Sequence, residues 1–249
     1  MTVFQRLESI REQRGAVALA LLDPDSKNDH QLQEMTARVA ASGFDAILVG
    51  GSLIMDNRFD QRIELIRSIC DLPVIIFPGS SRQLSARADA ILFLSLLSGR
   101  NPQYLIGEQV QSAPTIYSMG LETIPTGYLL LDGGSRSAVE IMSHTAPLPM
   151  DKQDIVLAHT LAAQYLGMKM IFLEAGSGAV IHAGVKLLEY IIPYLDIPVI
   201  VGGGVRSADS AAELVSAGAA YVVIGTILEE NPTADFLKKL TTVIHHRDS

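Results

Sequence analysis

Four short stretches of this chain carry residues able to do chemistry. FLEAGSGA (172–179) places Glu174 ahead of a run of small residues, Ala175 to Gly178. A carboxylate there can act as a general base or orient a hydroxyl, and a buried ion pair is the competing reading. VGGGVRS (201–207) and IGT (224–226) open the backbone at Gly202, Gly203 and Gly204 and again at Gly225-Thr226. Without side chains, backbone N–H groups can close on an anion, and a phosphate fits two such openings; two tight turns needing positive φ are the plainer alternative. LLDPDSKN (21–28) and VGGS (49–52) supply Asp23 and Ser52. That oxygen pair suits magnesium, which takes one or two protein ligands and completes its shell with water and substrate phosphate.

Other reactive residues carry weaker signals. Asp25 and Asp29 read as turn and helix caps. Arg100, in LSGRNPQY, can steady a diphosphate or simply flank a turn at the surface. His30, His144, His159 and His182 are scattered, and His245-His246 read as solvated residues near the C-terminus, so no histidine is given a role. The single cysteine, Cys70, excludes an internal disulfide and reads as a packed thiol. GGGVRS lacks the third glycine of a dinucleotide fingerprint.

To position these groups the chain needs a regular scaffold, and its apolar runs provide one. Strands are predicted at 16–25, 44–52, 72–80, 88–96, 123–134, 168–178, 197–204 and 219–226. Helical periodicity separates most of them, over 30–42, 58–70, 154–167, 179–191, 207–218 and 232–246, with Ser207 as a cap and Pro232 in a first turn. Eight βα units predict an α/β fold, a TIM (β/α)8 barrel in one domain over residues 1–249. Between the third and fourth strands only SRQLSARA remains, too short for a crossover helix. The third outer helix is therefore expected to be missing or replaced, leaving a gap in which an elongated ligand can lie. In such a barrel the glycine openings fall after strands seven and eight, where phosphates are held.

Bulk composition sets the limits. The 249 residues are 48% hydrophobic and 18% charged, with a mean hydropathy of +0.28, which provides a large core. A net charge of −8 and a pI near 5.2 give no footprint for nucleic acid and no attraction to anionic membranes. MTVFQRLESIREQRG reads as an amphipathic helix without the apolar core of a secretory signal, and no apolar run reaches the ~18 residues of a membrane span. A cytoplasmic location is expected.

Together LLDPDSK, VGGS, SGRNP, FLEAGSGA, VGGGVRS and IGT, in this order and approximate spacing, resemble the geranylgeranylglyceryl phosphate synthase family over nearly the whole chain. These prenyltransferases are related to bacterial heptaprenylglyceryl phosphate synthases. The resemblance implies transfer of a C20 prenyl group from geranylgeranyl diphosphate to the 3-hydroxyl of sn-glycerol 1-phosphate, the first ether bond of archaeal-type lipids. It implies Mg2+ as cofactor, with Asp23 and Ser52 as its ligands. It assigns Phe172, Leu173, Glu174, Ala175, Gly176, Ser177 and Gly178, with Gly203, Gly204, Gly225 and Thr226, to glycerol phosphate, and makes Glu174 the catalytic residue that orients or deprotonates the hydroxyl. Related enzymes usually carry tyrosine where this chain has Phe172, so that phenol's hydrogen bond is lost or supplied by another group. A homo-oligomer is implied, a hexamer and otherwise a dimer, with transient membrane contact for the lipid product. ILFLSLLSG and GYLLLDGG are candidates for the prenyl trench, against a default reading as barrel core. The rival readings are a flavin mononucleotide oxidoreductase barrel and a non-catalytic phosphate-binding barrel.

Overall fold

The computed structural model describes residues 1–245. Eight parallel strands, β1 (Val17–Leu22), β2 (Ala46–Val49), β3 (Val74–Ile76), β4 (Ala90–Leu96), β5 (Glu122–Leu130), β6 (Met170–Glu174), β7 (Val199–Gly202) and β8 (Tyr221–Ile224), close into a barrel in chain order. Each lies inside a segment predicted from sequence, apart from β5, which starts one residue early. Most stop short of the predicted C-terminal end, where the backbone leaves the ladder to build the site.

Strand alternation divides the core in two. Leu19, Leu48, Ile75, Leu92, Tyr128, Phe172, Ile200 and Val223 fill the barrel interior. Ile47, Ile76, Leu129, Leu173, Val201 and Val222 face outward into the helical layer. That layer comprises α2 (Leu32–Ala41), α3 (Phe59–Ile69), α4 (Glu108–Met119), α5 (Ala138–Ser143), α6 (Gln153–Tyr165), α7 (Val185–Ile191), α8 (Ala208–Ser216), α9 (Thr226–Glu229) and α10 (Ala234–His245). The N-terminal helix α1 (Val3–Arg14) stoppers the barrel floor: Leu7 enters the interior cluster, and Glu122 accepts from Val3 N and Phe4 N at 2.6 and 3.0 Å, a carboxylate at a helix N-terminus.

No helix joins β3 to β4. A side chain takes over part of its work. Gln83 is buried, donating to Gly51 O at 2.6 Å and accepting from Gly51 N at 3.3 Å and Gly79 N at 3.2 Å. It thus stitches the loop after β2 to the loop after β3. Ser81 N donates to Glu108 Oε2 at 2.6 Å, so the start of α4 anchors the same connection.

Several local expectations need correction. Helix α4, preceded by a π-turn at Gln103–Gly107, was not predicted: Pro114 lies inside it, and exposed Val110 and Tyr117 blur its apolar stripe. Helix α7 begins at Val185 rather than at 179, because Val180 N and Ile181 N are spent on Gly133 O, at 3.0 and 3.3 Å. Pro232 precedes the first turn of α10, which Thr233 caps by accepting from Phe236 N at 3.3 Å. His245 is packed rather than solvated, its Nε2 2.8 Å from Asp45 Oδ2, while His246 lies outside the described residues. Ser207 caps α8 as expected, in a reciprocal arrangement with Ser210.

Candidate active site

The loops leaving the C-terminal ends of the strands surround a cavity of about 520 Å³. Glu174, the last residue of β6, lies at its deep end and is 6% exposed. Its Oε1 accepts from Gly176 N at 2.7 Å, leaving Oε2 as the open acceptor. Burial pushes the carboxyl up to about 7, against the opposing effect of the Gly176 hydrogen bond. A carboxylate poised there is matched to proton abstraction near neutral pH.

The three glycines at the end of β7 have a structural reason that precedes any ligand. A Cβ at Gly202 would lie 2.7 Å from Phe172 Cε1, and one at Gly203 would lie 2.6 Å from Glu174 Oε1. At Gly204 the obstacle would be His182 N, 2.8 Å away. Bare backbone is what allows the β6–α7 loop to fold over the end of β7. The same packing assembles an anion cradle. Ser177, Gly203, Gly204 and Val205 line the cavity, and among the described residues the N–H groups of Ser177, Gly204 and Val205 donate to no protein acceptor. Thr226 Oγ1 accepts from Gly178 N at 3.3 Å, joining the loop after β8 to the loop after β6. Arg206 adds a cation at the cavity edge, paired with Glu230 at 3.0 Å.

Asp23 and Ser52 line the cavity on the opposite side of the β8–β1 seam. Asp23 Oδ1 is buried without a protein partner and would stand 2.8 Å from a Cβ at Gly51, so glycine there keeps the carboxylate clear. Asp23 Oδ2 meets Lys27 Nζ at 3.3 Å, and Lys27 also reaches Glu229 at 3.6 Å. Burial raises the Asp23 carboxyl above its usual range, with Lys27 pulling the other way. An orphaned carboxylate oxygen sharing a cavity with a hydroxyl fits a hard cation. Among the described residues no group of three or more His, Cys, Asp or Glu side chains could hold a metal, so such a cation would draw most of its ligands from elsewhere.

The rest of the cavity is mainly apolar, with Glu108, Gln109 and Ser112 among its polar lining, and runs over β4. Ile91 and Phe93 line it from one face of the strand and Leu92, Leu94 and Leu96 from the other. Both faces are reachable because β3 pairs with β4 only through Ile75–Ala90 and Ile76–Ile91. Tyr104, Ser112 and Met142 complete the walls. The gap expected from the short β3–β4 connection is therefore a passage from the barrel interior to the space under α4.

Not every residue assigned from sequence touches this space. Ser177, Gly178, Gly203, Gly204, Gly225, Thr226, Glu174, Asp23 and Ser52 line it. Leu173 points into the helical layer, as strand alternation requires, and Ala175 is buried with its N–H on Gly202 O at 3.0 Å. Gly176 acts through its bond to Glu174. Phe172 is wholly buried beneath the cavity, stacked on Phe77 with ring centroids 5.0 Å apart. Arg100 turns away, donating to Gly99 O at 2.8 Å and Leu97 O at 3.2 Å. Asp25 and Asp29 cap the two ends of the turn at Ser26–Asn28, Asp29 through its N–H to Ser26 O at 3.3 Å, while its carboxylate pairs with Arg62, Nε to Oδ1 at 2.6 Å. Sequence reasoning missed Gln83, Lys27 and Arg206, each of which reaches a partner in another loop, Gly51, Glu229 and Glu230.

A (β/α)8 barrel with unpaired N–H groups, a buried carboxyl and an apolar passage meeting in one cavity defines a phosphate-binding barrel built for an amphiphilic substrate. The description "PcrB family" matches residues 8–244, and the chain belongs to that family. It is 40% identical over 236 residues to the geranylgeranylglyceryl phosphate synthase of Chitinophaga pinensis, covering 94% of this chain and 93% of the relative. It is likewise 40% identical over 239 residues to that of Methanosphaera stadtmanae, covering 96% and 97%. The crystal structure of (S)-3-O-geranylgeranylglyceryl phosphate synthase from Thermoplasma acidophilum, in complex with its substrate sn-glycerol-1-phosphate, superposes with a TM-score of 0.91 at 38% identity, covering 98% of this chain and 99% of that one.

Proposed function

We propose that this chain transfers a geranylgeranyl group from its diphosphate to the 3-hydroxyl of sn-glycerol 1-phosphate. The observation that carries the reading is the single cavity in which the N–H groups of Ser177, Gly204 and Val205, the open oxygen of Glu174 and the leucines of β4 meet. Its three chemistries match a phosphorylated polyol, a proton to be removed and a long hydrocarbon.

In the reaction, the backbone cradle after β6 and β7 grips the glycerol phosphate and removes most of its rotational freedom. Glu174 accepts the proton of the attacking hydroxyl as the carbon–oxygen bond forms, and diphosphate departs with the electron pair of the broken bond. The β4 trench excludes water from the allylic carbon. Asp23 and Ser52 would hold a magnesium ion, which when bound neutralises the departing diphosphate. No flavin enters this scheme.

The same reading extends to context. Exposed Tyr165 and Leu166 at the end of α6, with Tyr190 and Tyr194 around α7, form an apolar surface suited to a second copy of the chain, consistent with a homo-oligomer, a hexamer or a dimer. Among the described residues no helix is long and apolar enough to cross a membrane, which accords with a cytoplasmic enzyme whose lipid product meets the membrane transiently. The decisive experiment offers radiolabelled prenyl diphosphates of several lengths with each glycerol phosphate enantiomer. Ether product from the C20 donor and sn-glycerol 1-phosphate is expected; a yellow preparation, or binding without turnover, would favour the flavin or non-catalytic barrel instead.

A further inference from the structure

One polar group at the deep end of the cavity has no task in the scheme above. Tyr128, on β5, is 5% exposed, with its ring 5.5 Å from Phe172 and 5.9 Å from Phe77. It lines the cavity, yet among the described residues its hydroxyl finds no protein partner. The other tyrosines set into the barrel behave differently: Tyr221 donates to Glu8, and Tyr104 donates to Met142 O at 3.1 Å. The phenol opens on the cavity rather than on protein, so its hydrogen-bond partner is expected to be whatever fills that space, water in the empty site and a ligand in the loaded one.

The register shows where that ligand must be. Tyr128 pairs with Phe172 and Leu130 with Glu174, so the phenol stands on the neighbouring strand, one layer below the carboxylate. Burial and the Glu174 charge raise the phenol well above its ordinary 10, which keeps it a neutral O–H donor across the working pH range. Glu174 has only Oε2 to offer, since Oε1 already accepts from Gly176. One oxygen serves the hydroxyl that loses its proton. A vicinal diol brings a second hydroxyl, and the phenol is the unused group beside it.

We propose that Tyr128 is a positioning residue that hydrogen-bonds the 2-hydroxyl of the phosphorylated polyol, so that Glu174 and Tyr128 together select a vicinal diol. This rests on the glycerol phosphate reading. It makes Tyr128 a determinant of specificity: alcohol phosphates without the middle hydroxyl leave the phenol unpaired and are rejected.

The test pairs one enzyme deletion with one substrate deletion. The full chain and Tyr128→Phe are each assayed on sn-glycerol 1-phosphate and on 3-hydroxypropyl phosphate, the same molecule without its 2-hydroxyl. Wild type is expected to prefer the glycerol compound by about 10- to 100-fold in kcat/KM. Tyr128→Phe should lose that preference, mainly through a higher KM for glycerol phosphate, while its use of 3-hydroxypropyl phosphate and its KM for the prenyl donor stay unchanged. The ratio of the two substrates is independent of how much enzyme is folded, and an unchanged melting temperature is expected because no intrachain bond is removed. A preference that survives in Tyr128→Phe, or an equal loss on both substrates, would overturn the proposal. Calorimetric titration of both phosphates without prenyl donor separates it from the reaction itself. Glycerol phosphate binding that weakens in Tyr128→Phe supports the role of Tyr128 even if transfer is absent, whereas equal binding by both proteins overturns it.

Discussion

Replacing Glu174 by glutamine should make the protein inactive and, at alkaline pH, more stable. The amide keeps the shape of the carboxyl and can still accept from Gly176 N, but it cannot take a proton. The native state holds the Glu174 proton up to about pH 7, whereas the unfolded chain releases it near the ordinary 4.5. Between those limits the folded protein binds more protons than the unfolded one, so the stability present below pH 4.5 declines as pH rises through 7. At roughly 1.4 kcal/mol per pH unit, the interval amounts to about 3 kcal/mol. Glutamine pays no such penalty. For a domain of this size the variant should melt about 6–12 °C above wild type at pH 8.5, and alongside it at pH 5. The assay is thermal melting of ligand-free protein at both pH values, beside prenyl transfer measured across the range. Wild-type kcat/KM should rise with pH through about 7, and Glu174→Gln should transfer at least ~100-fold more slowly with no such inflection. Identical melting differences at pH 5 and 8.5 would refute the reasoning, because burial of the charge would then cost nothing.

Two further outcomes test the rest of the site. Asp23→Ala should abolish the dependence of transfer on added magnesium and weaken binding of the prenyl diphosphate, and an unchanged metal titration would remove Asp23 from the metal site. Gln83→Ala should cost about 1–2 kcal/mol in urea unfolding, since it leaves the half-buried N–H and carbonyl of Gly51 and the N–H of Gly79 without their partner, and should raise the KM for prenyl diphosphate more than that for glycerol phosphate.

The barrel was legible because each strand is a short β-branched run with glycine or polar punctuation after it, a signal carried by neighbouring residues. The missing third helix was legible as a simple shortage of chain. What could not be read depends on partners far apart in sequence. Gln83 is an unremarkable residue in SRQLSARA until Gly51 and Gly79 arrive beside it. Tyr128 reads as core from its surroundings in GYLLLDGG, and its significance comes from lacking a partner. The glycines at 202–204 suggested a phosphate, but their packing against Phe172, Glu174 and His182 shows that loop closure already forbids side chains. Leu173 shared the fate of any strand residue between two inward neighbours, and assigning a whole motif to one ligand ignored that alternation.

The briefly paired seam beside β4 divides the molecule into parts that can change separately. Headgroup chemistry resides in the second half of the chain, in backbone geometry that tolerates few replacements. In the proposed reading, hydrocarbon capacity belongs to ordinary side chains around β4 and α4, beside the short β3–β4 ladder. On that reading a longer tail would need no wider barrel, and a finished product would leave sideways past that ladder rather than through the packed interior.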